Sequence, residues 1–222
     1  MWCIPNLTPE FKERMEDILV LYSRPYNPNE PVLCIDEKSK QLIEDTGVVQ
    51  NTKAGKPRRR DYEYKRNGTR NIFVTVEPKG GHREVEITQH RKRPDFAKEI
   101  RRISKLPRYR TAEKLHIVLD NLNTHFTKSF TETFGEKTTQ ELMDRIVFHY
   151  TPKHASWLNM AEIEIGILSR QCITGRIPTE EKLTTSIQSW KRERNKQNSM
   201  INWRFTVKDA REKFKYTMSE LS

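Results

Sequence analysis

Two short apolar runs, each closed by an aspartate, constrain the fold of this chain more than any other feature. The first is Val32–Ile35, followed by Asp36, and the second is Ile117–Leu119, followed by Asp120. An apolar run bounded by polar residues is typical of a strand that is buried on both faces of a sheet. Because ligands of such sheets gather at the carboxyl ends of the strands, both aspartates are expected to face one crevice.

The remaining pattern predicts a mixed sheet surrounded by helices. Apolar and β-branched segments predict five strands, over 32–36, 71–77, 85–88, 115–120 and 145–150, the second and third joined as a β-hairpin by the turn 78–81. Helical spacing predicts helices over 9–22, 94–106, 126–134 and 156–170, with further helix in 179–221. Residues 51–70 are polar and basic and indicate an exposed loop. The expected fold is an α/β domain whose five-stranded mixed sheet is flanked by helices.

Three parts are expected along the chain. Residues 1–30 hold the first helix and a connector in which Pro25 and Pro28 favour extended backbone. Residues 31–178 form the core with the sheet. Residues 179–222 form a helical extension that packs on this core, for which Trp190, Trp203 and Phe205 supply apolar surface.

The charge balance indicates a polyanionic partner. Lys and Arg number 41 against 30 Asp and Glu, which gives a net charge of +11 and a pI near 9.6. Nucleic acid is the favoured partner, ahead of an anionic membrane, and a merely soluble basic protein is the alternative. The sequence has no apolar stretch long enough for a transmembrane helix. Its three scattered cysteines fit neither a zinc site nor a disulfide framework, so a cytoplasmic, DNA-associated protein is expected.

Carboxylates at strand ends in a basic chain favour metal-dependent phosphodiester chemistry. Two Mg²⁺ ions about 3.5–4 Å apart can activate a nucleophile and stabilise a leaving oxygen, and such a pair needs about three carboxylates. Asp36 and Asp120 are the first two candidates, although an aspartate after an apolar run is also a common cap or turn residue. Glu162 and Glu164 are equivalent candidates for the third, because they flank the apolar face of one predicted helix at similar angles.

Three segments together resemble the DDE catalytic domain of mariner-like and bacterial insertion-sequence transposases. They are Cys34-Ile35-Asp36-Glu37-Lys38, the segment 118–125 (V-L-D-N-L-N-T-H) and the segment 150–162 (Y-T-P-K-H-A-S-W-L-N-M-A-E). In that family a Pro-containing loop leads to Leu-Asn and then to an acidic residue three positions after the Asn. The resemblance therefore selects Glu162 over Glu164 and implies that Asp36, Asp120 and Glu162 are both the catalytic residues and the metal ligands.

Membership in that family implies an RNase H-like fold, two Mg²⁺ or Mn²⁺ ions, nicking at transposon ends and strand transfer into target DNA. It also implies a homodimer or higher oligomer on DNA. Because the chain begins almost at the catalytic domain, a separate helix-turn-helix protein or domain is an expected partner. Two alternatives stay open: a catalytically silent DNA-binding or regulatory remnant, and an RNase H-like nuclease without strand transfer.

Further polar residues are candidates for supporting the site. The polar turn after Asp120 contributes Asn121, Asn123 and His125, and the loop and motif before Glu162 contribute His154 and Asn159. For the two histidines, exposed turn or local packing positions are the alternative. The basic runs Arg58-Arg59-Arg60 and Arg91-Lys92-Arg93 are candidates for phosphate contacts, with a solvated surface as the alternative.

Overall fold

The sheet of this protein has five strands in the order β3-β2-β1-β4-β5, and in a computed structural model it is covered by helices on both faces. The structure describes residues 7–47, 54–55, 62–120 and 126–216. Within these, the strands are Val32–Asp45 (β1), Tyr64–Glu77 (β2), His82–Thr88 (β3), Leu115–Leu119 (β4) and Ile146–Tyr150 (β5). β1, β4 and β5 are parallel, whereas β1, β2 and β3 are antiparallel neighbours. The predicted mixed five-stranded sheet is confirmed.

Two of the strands are longer than the sequence predicts. β1 continues nine residues past Asp36, and β2 begins at Tyr64, inside the segment predicted to be a loop. The extension of β1 is mostly polar and partly buried, and the start of β2 is polar and largely exposed, so both lack the apolar run on which the prediction depended. They form strands because Lys40–Asp45 pair with Tyr64–Arg70 in one antiparallel ladder with a register shift between Gln41 and Ile43.

Seven α-helices surround the sheet in the described part of the chain. They are Pro9–Ser23 (α1), Arg93–Ser104 (α2), Phe126–Phe134 (α3), Glu136–Met143 (α4), Ala161–Gln171 (α5), Glu180–Lys196 (α6) and Val207–Phe214 (α7). The first three agree with the predicted helices within a few residues. The continuous helix predicted over 156–170 is wrong, because a short 3₁₀ turn at Ser156–Leu158 precedes α5. None of the helices among the described residues is long and apolar enough to cross a membrane.

Three apolar clusters hold these layers together. α1, α7 and the 3₁₀ turn pack on one face of the central strands, and α2, α3 and α4 pack on the opposite face. α5 and α6 cover the antiparallel part of the sheet, where Trp190 is buried against β2 and β3. Trp203 and Phe205 pack beside Trp157, and Trp203 also lies against Tyr22 of α1.

Candidate active site

Asp36 lies on β1 just past the point at which the pairing of β1 with β4 ends. The parallel pairing of β1 with β4 extends only to Cys34, opposite Val118, whereas its antiparallel pairing with β2 continues through Asp36 itself. The expectation that Asp36 ends its strand is therefore wrong, yet it lies where the parallel ladder ends and the sheet opens. Its Oδ1 accepts a 2.7 Å hydrogen bond from the backbone N–H of Glu37.

Asp120 is the first residue after β4, and the neighbouring strand holds its carboxylate in place. Thr151, which directly follows β5, donates from its hydroxyl to Asp120 Oδ1 at 3.1 Å. The backbone N–H of Thr151 also donates to the carbonyl of Leu119 at 3.0 Å, and the threonine is buried. Thr151 is not among the residues expected from the sequence, although its place directly after a second parallel strand is a signal that marks it.

Glu162 lies in the first turn of α5, and the structure distinguishes it from Glu164. Glu164 is fully buried, and its Oε1 lies 3.0 Å from Arg83 Nε on β3 and 3.0 Å from Arg194 Nε on α6. Glu162 is exposed, and its charge acts on both Asp36 and Asp120. The two glutamates that helical periodicity left equivalent thus have separate environments, one in a buried ion pair and the other at the crevice.

The side chain of Asn159 connects all three segments that carry these carboxylates. Its Nδ2 donates to the carbonyl of Ile35 at 2.9 Å, and its Oδ1 accepts from the backbone N–H of Ala161 at 3.1 Å. Asn159 is fully buried, and it lowers the pKa of Asp120, so it also stabilises the charge of that carboxylate. One amide therefore fixes the residue before Asp36 and the residue before Glu162 relative to each other, and it acts on the charge of Asp120.

Neighbouring negative charges destabilise the charged forms of Asp36 and Asp120. Burial raises the pKa of Asp36 to about 7, and repulsion from Asp120, Glu37 and Glu162 adds to this increase. Burial also raises the pKa of Asp120, again with a contribution from Glu162, while the hydrogen bonds from Thr151 and Asn159 oppose it. Such a cluster of buried negative charge is the situation that a bound cation relieves.

The donor chemistry of the cluster fits a divalent cation, although its side chains do not form a closed ligand set. Within residues 7–47, 54–55, 62–120 and 126–216, no group of three His, Cys, Asp or Glu side chains is arranged so that it can hold a metal ion. Carboxylate oxygens are nevertheless the ligands that Mg²⁺ and Mn²⁺ favour. Binding of such an ion by Asp36, Asp120 and Glu162 therefore requires their side chains to turn toward it.

Several residues predicted to support the site lie outside the described part of the chain. They are Asn121, Asn123 and His125 after β4, and Arg58, Arg59 and Arg60 between β1 and β2. His154 is described and lies exposed in the turn before the 3₁₀ segment, with a left-handed φ of 65°. Among the described residues, none of its contacts links it to the three carboxylates.

Comparisons with known proteins identify a family and similar folds. The sequence model of a family described as "DDE superfamily endonuclease" matches residues 31–184. Comparison with curated protein sequences gives no match. The fold is similar to that of the Mos1 mariner paired end complex with Mn, with 14% identity, a TM-score of 0.53, and coverage of 97% of this chain and 63% of that one. It is also similar to a pre-cleavage Mos1 transpososome, with 15% identity, a TM-score of 0.51, and coverage of 90% and 64%.

The structural similarity confirms the expected RNase H-like fold. This chain spans less than two thirds of the length of either Mos1 chain.

Proposed function

This chain belongs to the DDE superfamily endonuclease family, and we propose that it is the catalytic domain of a DNA transposase that cleaves transposon ends and joins them to target DNA. The proposal is supported by Asp36 and Asp120 lying on one cavity, by the charge of Glu162 acting on both, and by Asn159, which joins the residues that precede Asp36 and Glu162. We assign the catalytic core to residues 31–178, with 1–30 and 179–222 as flanking segments, which the extent of the family match supports.

We propose that Asp36, Asp120 and Glu162 hold two divalent ions, Mg²⁺ or Mn²⁺. When bound, such ions polarise a phosphoryl oxygen and lower the pKa of an attacking water or hydroxyl. The raised pKa values of Asp36 and Asp120 support this assignment, because an adjacent cation offsets the cost of burying their charges. The exposure of Glu162 keeps it available to complete the set.

The protein's own residues orient the site and bind the substrate. Asn159 and Thr151 hold the carboxylate of Asp120 in one orientation, so less conformational freedom is lost when ion and DNA bind. The net charge of +11 attracts the phosphodiester backbone of transposon ends and target DNA. We further propose that the protein acts as a dimer or higher oligomer on DNA, with recognition of the ends supplied by a helix-turn-helix domain or protein.

Purified chain, with Mg²⁺ or Mn²⁺ and a plasmid that carries the DNA flanking its gene, tests the proposal. We expect nicked, broken and joined products. Asp36→Asn, Asp120→Asn and Glu162→Gln should each lower the cleavage rate by more than the 10–100-fold that is typical of outer-shell partners of a metal. The matched control is Glu44→Gln on the exposed end of β1, which should cleave like the wild type.

The products distinguish this function from its alternatives. Nicks without joined DNA indicate a nuclease that does not transfer strands. DNA binding without cleavage in either metal indicates a silent, regulatory protein. Full activity of Asp120→Asn rejects the assignment of the active site, because the carboxylate nearest Thr151 and Asn159 would then be dispensable.

A further inference from the structure

A cavity of about 340 Å³ adjoins the carboxylates on the face of the sheet that α2 covers. Its floor is apolar and comes from β1, β2, β4 and α2, and it consists of Ile35, Phe73, Phe96 and Leu119. Its rim carries opposite charges on two sides. Asp36, Glu37 and Asp120 form the acidic side, and the segment Arg91-Lys92-Arg93, at the start of α2, forms the basic side. The cavity is therefore continuous with the crevice that holds the proposed catalytic residues.

The basic side chains of this rim are available to a ligand. Arginines elsewhere on the protein are ion-paired at 2.6 Å, as in the pairs Arg70–Glu180, Arg108–Glu77 and Arg211–Glu16. Within the described part of the chain, no such ion pair engages Lys92 or Arg93, and both side chains are exposed. Arg91 contacts Glu37 at 3.7 Å with 62% of its side chain exposed, a loose pair that contributes little stability.

The dimensions and lining of the cavity favour one strand of nucleic acid over two. A volume of about 340 Å³ is at the lower end of the range for small-ligand sites, so the cavity suits a short stretch of one strand and is too small to enclose a base-paired duplex. Partly exposed Phe96 presents an aromatic ring beside the cationic rim. Basic side chains that follow a backbone, next to an aromatic surface for a base or sugar, are typical of sites for single-stranded nucleic acid.

We propose that this cavity binds an unpaired stretch of DNA strand next to the phosphodiester that enters the carboxylate crevice. This site rests on the function proposed above, because that function places the reacting phosphodiester in the carboxylate crevice. Arg91, Lys92 and Arg93 bind the phosphates of that stretch, and Phe96 contacts its sugar or base. Arg91 exchanges its loose contact with Glu37 for a phosphate. The bound strand is therefore separated from its complement beside the site of cleavage.

The salt dependence of DNA binding tests the site without requiring catalysis. Fluorescence anisotropy measures the affinity of the full chain for a labelled 12-nucleotide oligothymidine and for a labelled 20-base-pair duplex, with Ca²⁺ as the only divalent ion. The test variant is R91Q/R93Q. The matched control is R192Q/K196Q, which removes two exposed positive charges from α6. Thermal unfolding verifies that both variants remain folded.

The expected effect follows from counterion release. Each phosphate contact to single-stranded DNA contributes about 0.7 to the slope of log affinity against log salt, so R91Q/R93Q should lower the slope by about 1.4. Between 50 and 200 mM salt, the wild type should then lose about sevenfold more affinity for the oligothymidine than this variant loses. The control should keep the wild-type slope, and the variant should change less on the duplex than on the single strand.

Three results would overturn the proposal. The first is a salt-dependence slope in R91Q/R93Q that equals that of the wild type, and the second is an equal decrease of the slope in the control variant. The third is an equal decrease of the slope for duplex and single-stranded DNA, which indicates a general surface for duplex DNA. The outcome is separable from that of the proposed function, because binding is measured without cleavage. A protein that shows the expected slopes but never cleaves DNA contradicts the transposase proposal and leaves the strand-binding site intact.

Discussion

Asn159→Ala is the substitution that most directly tests how this site is built. The buried amide of Asn159 bonds to the carbonyl of Ile35 and the N–H of Ala161, and it stabilises the charge of the Asp120 carboxylate. Alanine removes both bonds and this stabilisation without adding bulk or charge. We therefore expect the variant to be less stable and less active. The loss of activity should be larger than the loss of folded protein alone explains.

The stability loss follows from the number of bonds removed. A neutral hydrogen bond contributes about 1 kcal/mol net, so loss of two should lower the free energy of unfolding by about 2 kcal/mol. For a chain of 222 residues this lowers the melting temperature by roughly 4–8 °C. The activity loss arises because Ile35 and Ala161, which precede Asp36 and Glu162, are no longer held by one amide, and loss of such outer-shell partners typically costs 10–100-fold.

Asn71→Ala is the matched control for this prediction. Asn71 is also buried, and its amide donates to the carbonyl of Gln89 at 3.2 Å and accepts from the hydroxyl of Ser39 at 2.7 Å. We expect it to lower stability by a similar amount while cleavage per folded molecule stays at the wild-type level. Urea unfolding gives the folded fraction of each variant, and cleavage is then measured over a Mg²⁺ titration at a temperature where both are folded.

Equal cleavage rates of Asn159→Ala and Asn71→Ala, once both are normalised to folded protein, would contradict a positioning role for Asn159. The same holds if Asn159→Ala needs no more Mg²⁺ than the wild type for half-maximal rate. Asn159 would then contribute to packing alone and would not position the carboxylates.

Two other predictions concern charges outside the carboxylate cluster. Glu164→Gln should lower the free energy of unfolding by about 3–5 kcal/mol in urea, because Arg83 is left buried without its partner, whereas Glu162→Gln should change it by less than about 1 kcal/mol. His116 is buried, with its Nδ1 2.9 Å from His149 Nε2, and burial lowers its pKa. The neutral imidazole therefore contributes to the free energy of unfolding above about pH 6.5, the pKa of a histidine in the unfolded chain. This contribution is lost as the pH falls through the lower pKa of His116 in the folded protein. Urea midpoints should therefore fall from pH 7 to pH 5, with a smaller slope in His116→Asn, and a steeper slope in that variant would contradict the assignment.

The apolar strands and amphipathic helices could be predicted from the sequence because each has its own hydrophobic period. Val32–Ile35 and Ile117–Leu119 lie in the sheet where they were expected, and parallel pairing brings Asp36 and Asp120 to the same opening. The polar extension of β1 could not be predicted in this way. Its residues form a strand through pairing with the equally polar start of β2, a long-range contact that leaves no periodic apolar signal in either segment.

The choice of the third carboxylate shows a similar limit. Helical spacing places Glu162 and Glu164 symmetrically, and the resemblance to a family selected Glu162. The physical difference between them is the pair of arginines around Glu164, which come from β3 and α6 and are remote in sequence. The cavity beside α2 could not be predicted for the same reason, because it depends on elements that meet only in the folded chain.

The same arginine pair ties the C-terminal segment to the proposed chemistry. Glu164 follows Glu162 by two residues on α5, so the contacts that fix Glu164 also fix the helix turn that presents Glu162 to the crevice. One of these contacts comes from Arg194 on α6, a helix that lies beyond the residues of the catalytic motifs. If α6 is displaced, α5 has to shift with it, or the buried Glu164 carboxylate loses its ion pair with Arg194. We infer that α6 is an integral part of the catalytic unit, because the position of Glu162 depends on the ion pair that α6 completes.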